Sequence, residues 1–348
     1  MFDLDRYMIP FWEGSVVEDE SCFVMEDEAG TLIPINLLYK PDKVLKVTDY
    51  TLTVTYEEGK DYKVEDGKII VLPEGKIPVM KSKDFFLDEK IEGKSFMRRN
   101  GKYLAFAEWV LMYPYQIAVT YEHSDKWDRY IPGSKGTKLE NFIKKLEAKA
   151  PVKILVFGDS ISAGANATSL KAEMLPGLPK WDALLVHELK KKYGYDDIEI
   201  VNTSVGGKAS KWGVETVEEN AVKYDADLAI IGFGMNNCAT TLPDFKEDIE
   251  NICKALRKGK SDTDIILLAT MLPNKLLAGF WGNQMYQQYV LNEIAEDFKN
   301  TVVCNMTEYH KAMLETKKFE DMTGNNVNHP NDFLIRGYAQ CLVKTLEK

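Results

Sequence analysis

Cysteine is scarce in this chain. Five residues among 348 (Cys22, Cys238, Cys253, Cys304 and Cys341) are odd in number, scattered and never in a C-x-x-C pair. That excludes a disulfide framework or a zinc knuckle and fits reduced thiols in a cytosolic protein. Histidine is scarcer still, at four, and nowhere do His, Cys and carboxylates cluster with metal-ligand spacing, so neither metal nor cofactor is expected. Positive charge is short as well: 44 Lys and Arg face 54 Asp and Glu, for a net charge of −10. This balance argues against a nucleic-acid groove or an anionic membrane surface as the main partner. No apolar run approaches the ~20 residues that span a bilayer. The start, Met1 to Arg6, lacks the basic and then apolar pattern of a signal peptide, so the expected compartment is the cytoplasm. Internal repeats and low-complexity tracts are missing too.

What is present falls into two halves. Up to about Tyr130 the chain reads as short strands. Leu45 and Val47, then Leu52, Val54 and Tyr56, alternate with threonines across Val44 to Tyr56, and Lys68 to Leu72 follows the turn Asp66-Gly67. Further runs cover Tyr103 to Met112 and Tyr115 to Tyr121. Many strands, frequent turns and almost no helical period predict a β-sandwich or jelly-roll domain over 1–135. Pro132-Gly133-Ser134-Lys135-Gly136 has linker composition. Thr137 to Glu140 then has capping-box spacing ahead of a helical stripe of Leu139, Phe142, Ile143 and Leu146.

From residue 152 strands and helices alternate. Strand-like runs are Val152 to Phe157, Ile198 to Val201, Leu228 to Ile231, Ile265 to Ala269 and Val302 to Cys304. Helical stripes lie between them, and a last one runs from Phe333 to Leu346. The pattern predicts an α/β domain over 136–348, a doubly wound parallel five-stranded sheet with helices on both faces. In such a sheet the loops after the strands emerge on one edge, where ligands bind. Those loops carry Gly158-Asp159-Ser160, then Asn202 to Gly207, then Gly232 to Asn237, and the segment Asn326-Val327-Asn328-His329 lies near the C-terminus.

A nucleophilic serine needs a base, a group that orients the base, and donors for the oxyanion. Ser160 and His329 supply the first pair. The N–H groups of Ser160 and Gly207 and the Asn236 amide are the candidate donors. Asp159 is read as a buttress of the turn through backbone amides. His187 and His310 read as structural or exposed.

These four blocks resemble the SGNH (GDSL-type) hydrolases over roughly 152–348, with Ser160, Gly207, Asn236 and His329 in the namesake roles. The resemblance implies a flavodoxin-like sheet and ester hydrolysis through an acyl-enzyme without metal or organic cofactor. A β-sandwich ahead of such a domain further resembles carbohydrate esterases that release acetyl groups, with an acetylated oligosaccharide as substrate. The alternatives are a short-chain lipid ester or thioester hydrolase, and a carbohydrate-binding pseudoenzyme.

One departure stands out. Where the family has D-x-x-H, this chain has Asn326 three residues before His329. An asparagine can accept from the imidazole but cannot offset its positive charge. The orienting group is therefore Asn326, a backbone carbonyl, Asp332 or Asp321, with Asp332 also a candidate cap for the last helix. A Ser-His dyad assisted by Asn326 or a carbonyl is the expected arrangement. Phe280 and Trp281, in the loop after the fourth strand, and Trp212, after the Gly207 block, are candidate sugar platforms. Packing against the N-terminal half is the competing role for these rings.

Overall fold

The computed structural model describes residues 3–348. Its C-terminal region is built on five parallel strands in the order Ile198–Asn202, Val152–Gly158, Leu228–Gly232, Asp264–Ala269 and Thr301–Asn305. Chain order is therefore 2-1-3-4-5, with the strand reversal beside Val152–Gly158. That strand has neighbours on both edges and helices on both faces, which is why Ile154 to Phe157 read as one unbroken apolar run. Leu155 and Phe157 enter the core under Ser210–Asn220 and Leu242–Gly259. Ile154 and Val156 enter the opposite core, with Trp181, Leu184, Tyr338 and Leu342.

Two helix starts differ from the sequence pattern. The expected capping box does not form; Gly136–Lys138 is a single tight turn, and the helix Glu140–Glu147 has no side-chain cap at Leu139. Asp264, at the start of the strand Asp264–Ala269, accepts the Phe142 N–H at 2.8 Å instead. The last helix, Asp332–Thr345, is capped by Asn331, whose side chain accepts from Leu334 N. Asp332 is the first helical residue, and its carboxylate is turned toward Thr168.

Named strands of the N-terminal region pair antiparallel throughout. One sheet has Gln116–Glu122 between Val16–Phe23 and Lys43–Asp49. A hairpin joins Tyr62–Glu65 to Lys68–Val71, and a small sheet holds Tyr103–Ala105 between Phe86–Leu87 and Ser95–Met97. The alternation across Val44 to Tyr56 is not one strand. Asp49 accepts from Thr53 N, Val54 N and Thr51 Oγ1, folding the chain back so that Tyr56 N reaches Val47 O at 2.9 Å. Likewise Tyr103 to Met112 is strand only as far as Ala105, and a turn occupies 108–110.

The two regions share one hydrophobic core. Phe11, Tyr39 and Tyr121 belong to the same cluster as Tyr309, Phe333 and Tyr338. A second shared cluster joins Phe85, Leu104 and Met112 to Leu277 and Val327. No helix among the described residues is long and apolar enough to cross a membrane.

Candidate active site

The first strand ends on Gly158 because nothing larger fits: a Cβ there would overlap the Gly232 carbonyl and the Ser162 hydroxyl. The chain then turns sharply through Asp159 and Ser160. Asp159 is buried, and its carboxylate accepts from Ile161 N at 3.0 Å and Met235 N at 3.3 Å. Burial pushes this carboxyl up to about 6, with the two N–H bonds and the nearby His329 pulling the other way. Asp159 thus laces the Ser160 turn to the loop after the third strand. From the other side Asn202 Nδ2 donates to Ser162 O at 2.8 Å, and Trp181 Nε1 donates to Ile161 O at 2.9 Å.

On this frame Ser160 Oγ lies 2.9 Å from His329 Nε2, two residues brought together from 169 positions apart. Gly206 lies beside them, since a Cβ built on it would sit 3.8 Å from Ser160 Cβ. Gly207 has a φ of +74°, a conformation that other residues adopt only with strain. Among the described residues neither Ser160 N nor Gly207 N donates to any protein acceptor. Asn236 Nδ2 donates to Lys208 O at 3.0 Å, which uses one of its two N–H bonds and leaves the other.

The far side of the imidazole differs from expectation. His329 Nδ1 lies 2.9 Å from Asn166 Oδ1 and 3.1 Å from Glu108 Oε2. Asn326 is not there. Its side chain is buried away from the ring, with Nδ2 donating to Ala105 O at 3.0 Å and Oδ1 accepting from Asn274 Nδ2 at 3.2 Å. Asp332 is also elsewhere, receiving Thr168 N at 3.0 Å and Thr168 Oγ1 at 2.6 Å, and burial pushes its carboxyl up to about 7. Asp321 accepts from Phe23 N and Lys318 N. The position that the sequence pattern singles out is therefore a docking group, and the contacts to His329 come from residues it did not single out.

Glu108 sits in the 108–110 turn of the N-terminal region, a third exposed. Its carboxylate is pushed up by burial, but hydrogen bonds from His329, Asn325 and Asn166 outweigh this and hold it below the ordinary glutamate value. The sequence signals for these residues are faint. Asn166 stands in the small polar turn after Ser160, and Glu108 is one acid inside an apolar run.

The three candidate sugar platforms are placed differently. Phe280 packs edge-on against Phe96 of the N-terminal region, filling the gap between the regions. Trp212 rests on Phe157 and Phe233 under the sheet. Trp281 is half-buried, with the Arg99 guanidinium 5.7 Å from its ring. A tryptophan not singled out, Trp109, follows Glu108 directly, at a φ of +60° and with Lys171 Nζ 5.5 Å from its ring.

The other three histidines have separate surroundings. His310 is buried, accepts from Leu272 N at 3.0 Å and is driven down to about 3 by burial, so it is neutral. His123 stacks on Tyr39 at 3.8 Å. His187 lies at the surface with Asp5 and Glu188, where three ligand atoms come within 4.8 Å of one another. Lys191 Nζ is 3.0 Å from Asp5 Oδ1, so a cation already neutralises that group.

No curated protein sequence matches this chain significantly. Among solved structures it is similar to a two-domain esterase active on acetylated mannans (TM-score 0.48, 20% identity, 60% of this chain). It spans about half of that protein, 52%. It is also similar to an acetylxylan esterase from Geobacillus stearothermophilus (TM-score 0.46, 17% identity, 56% of this chain and 94% of that one). A lipase/acylhydrolase from Enterococcus faecalis gives 0.44, 19%, 56% and 94%. The model of the GDSL-like lipase/acylhydrolase family matches residues 156–333, just over half of the chain, from the strand that leads into Ser160 to the first turn of the last helix. This chain belongs to the GDSL-like lipase/acylhydrolase family.

Proposed function

We propose that this protein is a serine esterase that removes acetyl groups from carbohydrates through an acyl-enzyme on Ser160. The observation that carries the reading is the 2.9 Å contact between Ser160 Oγ and His329 Nε2. Both Nδ1 partners are acceptors, because Asn166 has its Nδ2 committed to Gly324 O. Nδ1 therefore carries the proton and Nε2 is bare, ready to take the hydroxyl proton.

In the proposed reaction Ser160 Oγ attacks the acetyl carbonyl while His329 Nε2 accepts its proton. The oxyanion receives the N–H groups of Ser160 and Gly207 and the remaining Asn236 N–H. Collapse expels the sugar alkoxide, which takes the proton back from Nε2. Water, deprotonated by the same nitrogen, then attacks the acetyl-serine; collapse releases acetate, and Ser160 Oγ takes the proton back from Nε2.

Support for a carbohydrate leaving group comes from the two half-buried tryptophans. Trp109 stands next to Glu108, and Trp281 lies in the loop after the fourth strand; flat indole faces suit sugar rings. The reading takes 1–135 as an accessory β-domain and 136–348 as the catalytic domain.

The test is acetate release from acetylated xylo- and manno-oligosaccharides, alongside 4-nitrophenyl acetate and longer acyl esters. The expected result is turnover of the acetylated sugars that Ser160→Ala abolishes. Preference for longer acyl chains would instead favour a lipid or thioester substrate, and equal rates for wild type and Ser160→Ala would remove the serine mechanism altogether.

A further inference from the structure

We infer that Glu108, supplied by the N-terminal β region, is the positioning carboxylate of His329, completing a Ser-His-Glu relay in place of the acid missing at residue 326. The inference rests on the esterase reading above and adds a role for the N-terminal region within it.

The first ground is donor and acceptor accounting. Glu108 stands between two donors whose directions are fixed independently. On one side is His329 Nδ1, 3.1 Å from Oε2. On the other is Asn325 Nδ2, 3.1 Å from Oε1. Asn325 cannot turn its amide around, because its Oδ1 already accepts Val327 N, Asn328 N and His329 N at 2.9 to 3.1 Å. The two donors meet different oxygens of Glu108, which a carboxylate accepts at both ends, whereas an amide would set its own NH₂ against one of the donors.

The second ground is charge. Asn166 Oδ1 fixes the tautomer, but a neutral oxygen cannot balance the imidazolium that forms when Ser160 is deprotonated. The carboxylates facing His329 are Glu108, in contact with Nδ1, and Asp159, from the nucleophile turn. Asp159 is committed to Ile161 N and Met235 N and does not hydrogen-bond the ring. Only Glu108 pairs charge with orientation.

The third ground is how Glu108 is delivered. Asn326 Nδ2 holds the carbonyl of Ala105, three residues before Glu108, and Val327 packs in one cluster with Leu104 and Met112. The side chain that replaces the family acid thus holds the strand from which the substitute acid extends. Trp109 adopts φ +60° immediately after it, and its indole N–H reaches Ala167 O at 3.4 Å.

The experiment compares wild type, Glu108→Gln, Glu108→Asp and Ser160→Ala on 4-nitrophenyl acetate across pH, with thermal unfolding run on each protein. Glu108→Gln is expected to lower kcat by up to roughly 10⁴-fold, the loss seen when a comparable acid is removed. KM should change less than about threefold, since the residue touches no substrate. Without the negative charge the acidic limb of kcat/KM moves to lower pH, and Glu108→Asp recovers part of the lost rate. A purely structural ion pair would change the melting temperature and leave the pH limb in place. Glu108→Gln within threefold of wild type, or an unmoved limb, overturns the inference while the esterase reading stands. A wild type no faster than Ser160→Ala overturns both.

Discussion

Asn326 is the residue at which a motif and a molecule part company. Its place in the sequence is that of the acid three positions before the base, but its amide is buried between Asn274 and Ala105 O, with one donor and one acceptor in use. An aspartate there would turn a lone pair toward a carbonyl oxygen and leave a charge out of reach of His329. Asn326→Asp, which restores the family pattern on paper, is therefore expected to lower both activity and melting temperature, by about 1–3 kcal/mol in stability. It should also fail to rescue Glu108→Gln. Kinetics and thermal unfolding of the single and double variants check this. Asn236 gives a complementary case: Asn236→Ala is expected to reduce kcat by roughly 10²–10³ with little change in folding, as for loss of one oxyanion donor. A kcat within threefold of wild type would remove Asn236 from the oxyanion site.

At the scale of elements, the parallel strands were legible because burial on both faces leaves continuous β-branched and aromatic runs, and Ile154 to Phe157 is the clearest of them. The loop carrying Ser160 was legible because small residues crowd it for steric reasons, as at Gly158, and the one carrying His329 through its resemblance to the family block. The 108–110 turn was not. Phe106 to Met112 is apolar enough to extend a strand, and what stops it is tertiary: Trp109 at positive φ and a carboxylate drawn to a histidine 221 residues away. No local propensity encodes such a partner. The start of the last helix gives a pH test at this scale. Asp332 titrates near 7 when folded against an ordinary 3.8, so the native state keeps a proton that the unfolded chain gives up. Stability therefore falls as pH rises from about 4 to about 7. Asp332→Asn should flatten that slope, leaving the smaller part due to Asp159, which titrates near 6. Melting temperatures of the two proteins from pH 4 to pH 8 measure it; parallel curves would contradict the assignment.

For the whole molecule the join between the regions matters more than either region alone. Beyond the shared core, Lys317 is fully buried with Nζ at 2.7 Å from both Glu20 Oε1 and Ser21 O, so a cation of the C-terminal region is enclosed by the first sheet strand. Glu20 also accepts Leu38 N and the Tyr121 hydroxyl. Buried pairs contribute little net stability, but breaking one strands a charge. Lys317→Met should cost about 3–5 kcal/mol, with the larger part of that loss recovered when Glu20→Gln is added. Chemical denaturation followed by tryptophan fluorescence and by esterase activity should give coincident transitions, because the core and the relay dissolve together.

The clasp between Asn326 and Ala105 also constrains how this protein could be remade by recombination. An accessory domain appended to an enzyme can be exchanged or lost and leave the chemistry intact. Here the base on the last loop would lose its counter-charge as soon as the first 110 residues were replaced, even by a fold of the same shape. Chimeras joining this C-terminal region to another β-domain would therefore inherit a correctly placed Ser160 and His329 and still be slow. A glutamate grafted at the position of Glu108, with a carbonyl for Asn326 to hold, is the smallest change that would restore them.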